Sequence, residues 1–284
     1  MSGSQKRVLA VGAHPDDIEF MCAGLLALLR NLGFEVHIAT LTLGDCGSVD
    51  EPIESIRSIR RGEAKDACEV LGAIYHPLGF FDFCIYNDDH SNRQVTALVR
   101  EVDPSIVVTH SPQDYLSDHE TTSTLVRNAC FYASVPNYET PQHSRRERTS
   151  SIPYLYYAHP MEGTDIFGRP VSPDFYLDVT DVFKLRTAML SCHKSQREWL
   201  RIQHGMDDYV DSMRRWSRTL GQQASAASAK DVEFAEAYRQ HRGHAYPHEQ
   251  ILSELLGKSI VSASGMKPES TTPCSLDPPR NSKI

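Results

Sequence analysis

Residues 8–20 of the chain read VLAVGAHPDDIEF, an apolar run that ends in a histidine and two adjacent aspartates. The first six residues are apolar or small, which is typical of a buried parallel strand. Asp16 and Asp17 follow at the end of this strand, close to His14. Two neighbouring carboxylates repel each other, and their burial is costly unless a positive group lies between them. The segment therefore predicts a core strand that leads into a site requiring positive charge.

The first half of the chain alternates between strand-like and helical segments. Apolar runs predict strands at residues 8–13, 34–45, 74–80 and 105–110. Amphipathic segments predict helices at residues 21–33, 53–73, 92–104 and 119–134. Such repeats imply right-handed crossovers and a parallel sheet. We therefore predict an α/β fold, a Rossmann-like three-layer sandwich with a mostly parallel sheet.

The second half of the chain predicts an extra C-terminal section of strands and helices. Strands are expected at residues 152–160 and 174–181, helices at 183–199 and 206–219, and a helical or partly strand-like segment at 232–243. The small-residue run 221–230 predicts a linker, and the polar residues 137–151 predict a long loop of the kind that often carries function. We predict a single domain over residues 1–256 and a disordered tail over 257–284, which is rich in Ser, Pro and Lys.

Composition and charge exclude several classes of function. The formal net charge of −8 gives no reason to expect attraction to nucleic acid or to an anionic membrane. Neither an N-terminal signal nor an apolar run long enough to span a bilayer is recognisable. The seven cysteines are scattered and form no CxxC pair. This pattern predicts reduced thiols in a cytoplasmic protein, without a disulfide framework or a cysteine-built zinc site.

A second polar cluster follows the predicted strand 105–110 and consists of His110, Asp114, Asp118 and His119. In a doubly wound sheet, ligands bind beyond the carboxyl ends of the strands, so both clusters should lie at the same edge. Histidines and aspartates together are the ligands of a hard-to-borderline divalent metal ion. Zinc is the leading candidate, and other divalent metals fit the same residue types.

A catalytic zinc ion takes three protein ligands and keeps one position for water. His14 and Asp17, three residues apart on a tight turn, can face one ion, and a distant histidine can complete the set. Asp16 cannot point the same way as Asp17, so it is free to act as a base on water. The alternative is that the two aspartates only cap a helix N-terminus, a common use of such a pair.

Residues 13–17 read AHPDD and resemble the signature of the PIG-L/LmbE-like family of metal-dependent N-deacetylases, which includes N-acetylglucosaminyl-phosphatidylinositol deacetylase. The resemblance covers residues 6–245. It extends through the segments 41–45, 60–72, 81–82, 109–119, 193–196 and 234–239. It implies that His14, Asp17 and His119 ligate one zinc ion per chain and that Asp16 is the general base. It also implies a catalytic role for Asp118, which would orient or charge a neighbouring group.

The same resemblance implies the substrate and its contacts. Arg60 and Asp82 are expected near the sugar, and His110 and Asp114 are also assigned to substrate binding. The expected reaction removes the acetyl group of an N-acetylglucosamine-type amino sugar or its conjugate and releases acetate and a free amine. Members of the family often form trimers or hexamers, so a homo-oligomer is expected here.

One position departs from the family pattern. Members usually carry His-Pro directly before the Asp-His pair, whereas this chain has Leu116 and Ser117. Another group must then stabilise the oxyanion and protonate the leaving amine. His193 is the first choice, and His110 and Tyr157 are weaker candidates.

Two further features and three rival functions stay open. His159 could line the pocket, and the arginines at 145, 146 and 148 could bind an anionic part of the substrate or belong to a solvated loop. One rival is a metal-dependent amidase that acts on another amide-containing conjugate, and a second is a degenerate sugar-binding member without activity. A nucleotide-binding protein is disfavoured, because residues 11–16 lack the Gly-x-Gly-x-x-Gly pattern that seats a pyrophosphate.

Overall fold

The computed structural model describes residues 6–141, 148–204 and 209–263. The strands are β1 Arg7–Gly12, β2 Glu35–Thr42, β3 Ile74–Phe80, β4 Ile106–Thr109, β5 Tyr154–Ala158, β6 Phe175–Asp178, β7 Ala235–Gln240 and β8 Ile260–Ser262. The helices are α1 Asp17–Met21, α2 Ala23–Asn31, α3 Ile53–Leu71, α4 Asp89–Val102, α5 Ser117–Tyr132, α6 Phe183–Leu190, α7 Lys194–His204, α8 Tyr209–Ala227 and α9 Ile251–Leu256. Within these described ranges, no helix is both long and apolar enough to cross a membrane.

All eight of these strands form one mixed sheet in the order β3-β2-β1-β4-β5-β7-β6-β8. The pairs from β3 through β5 are parallel, and the remaining pairs, which involve β7, β6 and β8, are antiparallel. The predicted α/β fold with a mostly parallel sheet is thus confirmed, and the extra C-terminal section is its antiparallel edge.

Helices cover both faces of the sheet, which makes the three layers. Alternate side chains of a strand point to opposite faces, and in β1 these positions are apolar on both. Val8 belongs to the core under α2 and α6, whereas Leu9 belongs to the core under α4 and α5. β1 therefore runs through the middle of the molecule, and its carboxyl end is fixed on both sides.

The chain adds β2 and β3 on one side of β1 and then crosses to the other side, where β4 lies next to β1. Their register pairs Val8 with Ile106 and Val11 with Thr109. The Thr109 hydroxyl also donates to the Val11 carbonyl over 2.9 Å. The loops that follow both strands thus leave the sheet at the same edge, where a crevice forms in folds of this type.

Four sequence-based boundaries differ from the structure. The helix expected at 183–199 is two helices, α6 and α7, with His193 in the break between them. The expected linker at 221–230 is helical through Ala227, because its alanines favour helix. The ambiguous segment at 232–243 contains strand β7. The sheet also includes β8, which lies beyond residue 256, and residues 264–284 of the expected tail lie outside the described residues.

Candidate metal centre and substrate cavity

Asp17 lies at the centre of the polar cluster where β1 and β4 end. Its Oδ2 atom is 3.5 Å from His14 Nδ1, and its Oδ1 atom is 3.5 Å from His119 Nε2. One donor atom from each of these three residues falls within 4.8 Å of the other two. Asp17 also accepts the backbone N–H of His14 over 2.7 Å, which fixes the carboxylate against the turn. The three side chains are thus already gathered around one point.

The second nitrogen of each histidine is held by another carboxylate. His14 Nε2 lies 3.0 Å from Asp118 Oδ2, and His119 Nδ1 lies 2.9 Å from Asp114 Oδ1. Asp118 Oδ2 also accepts the backbone N–H of Phe83 over 2.8 Å. Outer carboxylates of this kind orient metal-binding histidines and raise their basicity. The arrangement leaves His14 Nδ1 and His119 Nε2 directed at Asp17.

The cluster attracts positive charge. Burial lowers the pKa of His14, but the hydrogen bonds with Asp118 and Asp17 outweigh burial and raise this pKa to about 10. Burial also lowers the pKa of His119. The charge of Asp17 and the hydrogen bond with Asp114 outweigh burial and raise this pKa to about 9. Two imidazole nitrogens and a carboxylate are donors that zinc prefers. The residues present therefore fit a divalent metal ion.

Asp16 stands beside this centre and is separate from it. It has left-handed backbone angles, φ 96° and ψ −22°, and its side chain makes no capping hydrogen bond to α1. Its Oδ2 atom accepts a hydrogen bond from the Tyr209 hydroxyl over 2.9 Å, and its Oδ1 atom lies 3.6 Å from Arg60 Nη2. Burial raises the pKa of Asp16 to about 6, although the charge of Arg60 opposes the rise. The Asp16 carboxylate thus does not cap helix α1.

A cavity of about 360 Å³ opens onto these groups. Arg60 and Asp82, both expected near a sugar, line it. Arg60 donates to the Pro15 carbonyl over 2.9 Å, so part of its guanidinium holds the loop that carries Asp16. Asp82 Oδ2 accepts the Cys46 backbone N–H over 2.9 Å, whereas Asp82 Oδ1 is buried and has no hydrogen-bond partner among the described residues. One buried carboxylate oxygen beside the cavity is thus left without a protein partner.

Several expected site residues do not reach the cavity. His110 is fully buried, with its ring stacked on His119 at 4.0 Å and its Nε2 atom 3.0 Å from Asp17 Oδ2. It lies behind Asp17 and is not among the residues that line the cavity, so its expected substrate contact stays a prediction. His193 is 1% exposed and lies 3.3 Å from Glu19 Oε1. It sits outside the described cavity lining, because the break between α6 and α7 turns it inward, so a direct catalytic contact is not supported.

The remaining candidates divide in the same way. Tyr157 bonds with His241 at 3.0 Å and is not among the described residues around the cavity. Asp114, expected at the substrate, lines the cavity, and its Oδ1 atom bonds with His119 Nδ1, so its contact with a substrate stays a prediction. His159 does line the cavity. Arginines 145 and 146 lie outside the described residues.

Two cavity residues escaped the sequence reasoning. Tyr209 binds Asp16 from a helix that begins 193 residues later in the chain, and no spacing in the sequence signals such a contact. Gln196 offers a buried side-chain oxygen, again without a hydrogen-bond partner among the described residues. Gln196 lies in the segment 193–196 that resembles the family, and that resemblance was the available signal.

The sheet and its polar centre define a doubly wound α/β protein with a metal-type histidine–aspartate site at the switch point of the sheet. Comparison with known proteins is consistent with this class. The model of the PIG-L family, described as GlcNAc-PI de-N-acetylase, matches residues 9–130. A probable N-acetyl-alpha-D-glucosaminyl L-malate deacetylase 2 of Bacillus cereus is 30% identical over 203 residues, which cover 68% of this chain and 85% of that protein. The chain therefore belongs to the PIG-L family.

Two other relatives widen the range of activities. A 4-oxalmesaconate hydratase of Pseudomonas putida is 26% identical over 244 residues, covering 83% of this chain and 89% of the relative. The structure of N,N'-diacetylchitobiose deacetylase from Pyrococcus horikoshii superposes with a TM-score of 0.69 at 21% identity, over 87% of this chain and 88% of that one. The structural likeness establishes the shared fold. The relatives include deacetylases of N-acetylglucosamine-type conjugates and also a hydratase.

Proposed function

We propose that this protein is a zinc-dependent deacetylase that removes the acetyl group of an N-acetylglucosamine-type amino sugar or its conjugate. The observation that carries the proposal is the gathering of His14, Asp17 and His119 around one point with the separate carboxylate of Asp16 alongside. Deacetylases among the relatives support the same reaction class. The products would be acetate and a free amine.

His14, Asp17 and His119 would hold one divalent ion per chain, with zinc as the first choice and other divalent metals as alternatives. When bound, the ion supplies Lewis acidity, which polarises an amide carbonyl and lowers the pKa of water. Asp118 and Asp114 keep the two imidazole rings in place by bonding their outer nitrogens. His110 packs behind Asp17 and limits how far that carboxylate can turn.

Asp16 would carry the proton. Its pKa of about 6 suits a group that is mostly ionised at neutral pH and can still hold a proton briefly. Asp16 Oδ1 takes a proton from the attacking water, and the same carboxyl returns it to the leaving nitrogen. Because Leu116 replaces the usual histidine and His193 is not among the residues that line the cavity, Asp16 would perform both transfers.

Asp82 would receive the sugar. Asp82 lines the cavity, and its buried Oδ1 atom, 4.0 Å from His14 Nε2, has no hydrogen-bond partner among the described residues. A sugar hydroxyl could donate to this oxygen, and an unsatisfied buried carboxylate oxygen gains free energy from such a donor. Arg60 lies 3.6 Å from Asp16 and would orient this base. The guanidinium N–H groups that do not bond to backbone carbonyls would bind the substrate.

The test combines metal analysis with acetate release from N-acetylglucosamine and its glycosides. Wild type is expected to bind one zinc per chain and release acetate, and Asp16→Asn is expected to bind zinc and lose activity by about 10²–10⁴-fold. Asp89→Asn, at a carboxylate with a 75% exposed side chain on α4, is the matched control and should behave as wild type. No bound zinc, or full activity in Asp16→Asn, would contradict the proposal.

A hydratase is the second candidate, because the 4-oxalmesaconate hydratase resembles this chain over most of its length. Hydration also needs activated water and a proton carrier, so the same centre could serve both reactions. Loss of the ultraviolet absorbance of 4-oxalmesaconate without acetate release from any amide would favour it. Acetate-free cleavage of another amide would instead favour the amidase, and zinc binding without turnover would favour the degenerate member. Cytoplasmic location and assembly into trimers or hexamers stay predictions.

A further inference from the structure

One side of the cavity is an aromatic wall, which we define as Phe20, Met161, Trp199, Tyr209, Trp216 and Leu220. The chain has two tryptophans, and both belong to this wall. Trp199 and Trp216 are only half-buried, so part of each indole ring faces the cavity. Large apolar side chains left accessible in a concave cavity gain free energy when an apolar ligand displaces water from them.

Ring stacking fixes the wall in place. The rings of Phe20 and Tyr209 stack with centroids 5.6 Å apart, and those of Trp216 and His159 stack at 6.0 Å. Gly163 lies against the second pair, where a β-carbon would come within 2.9 Å of Trp216. The loop after β5 can approach the indole this closely because it has glycine there. The part of the wall formed by Phe20, Tyr209 and Trp216 is therefore held in place by these contacts.

The charged groups that border the wall are already neutralised. Arg186 donates to the Glu19 and Phe20 carbonyls and to Ser217 Oγ, and lies 3.5 Å from Glu236. Each nitrogen of this buried guanidinium is engaged in one of these contacts, so its charge is already paired within the protein.

Glu236 is occupied in the same way. It accepts the backbone N–H groups of Gly24 and Leu25 and the hydroxyl of Tyr238 over 2.8, 2.9 and 2.6 Å. His159 is also uncharged at neutral pH, because burial lowers its pKa to about 4. Within the described part of the cavity, this side thus offers neither a cation for a carboxylate nor an anion for an amine.

We propose that the aromatic wall is a subsite for an uncharged apolar group of the substrate, attached to the amino sugar whose amide reaches the metal centre. The proposal rests on the proposed function for the position of the amide. Tyr209 joins the two regions, because its hydroxyl binds Asp16 while its ring forms part of the wall. The apolar group can be an acyl chain longer than acetyl or an alkyl or aryl aglycone, and both have the same chemistry.

This assignment separates the protein from relatives named for carboxylated substrates. A carboxylate of an L-malate conjugate or of 4-oxalmesaconate would find no unpaired cation among the six residues of the wall. An alkyl group would instead gain about fourfold in affinity or kcat/KM for each buried methylene. The preference should therefore rise with apolar length until the wall is covered.

Binding can be measured without turnover by tryptophan fluorescence, since both tryptophans report on the wall. Full-length protein would be titrated with hexyl β-glucoside and methyl β-glucoside, neither of which has an amide. We expect the hexyl compound to give a saturable change in emission. This change should occur at concentrations at least tenfold below any change with the methyl compound, because each buried methylene raises affinity about fourfold. Trp199→Ala and Trp216→Ala should each weaken hexyl binding, and Phe131→Ala, at an exposed ring on α5, should not.

Turnover then identifies the source of the apolar group. One series extends the acyl chain of glucosamine from acetyl to butanoyl and hexanoyl, and the other extends the glycoside of N-acetylglucosamine from methyl to benzyl. A rise of kcat/KM in the first series assigns the wall to the acyl chain, and a rise in the second assigns it to the aglycone. Acetate release with neither a rise nor hexyl binding would overturn the subsite and leave the deacetylase. Hexyl binding without any amide cleavage would support the subsite and overturn the deacetylase.

Discussion

The hydrogen bond from Tyr209 to Asp16 makes a quantitative prediction. The bond is 2.9 Å long, its acceptor is a buried carboxylate, and it occupies Oδ2 so that Oδ1 is left for water. A hydrogen bond to a charged group contributes about 1.5–3 kcal/mol. If Tyr209 holds the proton carrier in position, Tyr209→Phe should lower kcat by about 10- to 150-fold. KM should change by less than about twofold, because the phenylalanine ring can keep its stack on Phe20.

The assay is steady-state acetate release at saturating zinc, with thermal unfolding measured on the same samples. Tyr246→Phe is the matched control, because it removes a phenol hydrogen bond to the Arg127 carbonyl at a position away from the cavity. The control should lose some stability and keep its kcat. Equal kcat in Tyr209→Phe and wild type would refute the reasoning, as would an identical loss in both variants, since that would indicate a general effect on folding.

Four further predictions concern stability. His76 Nε2 lies 2.9 Å from His37 Nδ1, and burial followed by the charge of His37 lowers the pKa of His76 from 6.5 to about 4. The unfolded chain therefore binds this proton first, so the free energy of unfolding should fall as pH drops from 6.5 to 4, by at most about 3 kcal/mol. Urea unfolding at both ends of this range checks it, and His76→Gln should flatten the dependence. Gly24→Ala would place a β-carbon 2.6 Å from a Val179 methyl and should destabilise by about 1–3 kcal/mol. Gly62→Ala, inside α3 with open space around it, should stabilise by about 0.5–1 kcal/mol in the same urea experiment. Removal of the metal with a chelator should lower Tm and added zinc should restore it, since a ligand at 100 times its Kd stabilises by about 2.7 kcal/mol; an unchanged Tm would argue against a bound ion.

The parallel half of the fold and its site could be predicted from the sequence for one physical reason. Carboxyl ends of neighbouring parallel strands meet at one edge, so His14 and Asp17 after β1 and His119 after β4 had to lie close together. The carboxylate partners of the histidines also follow from the same two loops. Each of these residues follows β1 or β4 in the chain, so the pairing of the two strands is enough to bring them together.

The second half resisted prediction, because long-range packing decides which side chains reach the cavity. His193 looked catalytic by residue type, but the break between α6 and α7 directs it to Glu19. Tyr209 looked unremarkable, but α8 packs so that its hydroxyl meets Asp16. Helix packing angles and breaks of this kind depend on the whole core, and no short spacing in the sequence encodes them.

Apart from Phe20, the aromatic wall comes from a different part of the chain than the histidine–aspartate centre. The match to the PIG-L family ends at residue 130, and it contains His14, Asp17 and His119. Trp199 and Trp216 come from helices that follow this limit. Substitutions at these two tryptophans can therefore change the wall without altering His14, Asp17 or His119. The histidine–aspartate centre and the two tryptophans thus lie on separate stretches of the chain, and either can change without the other.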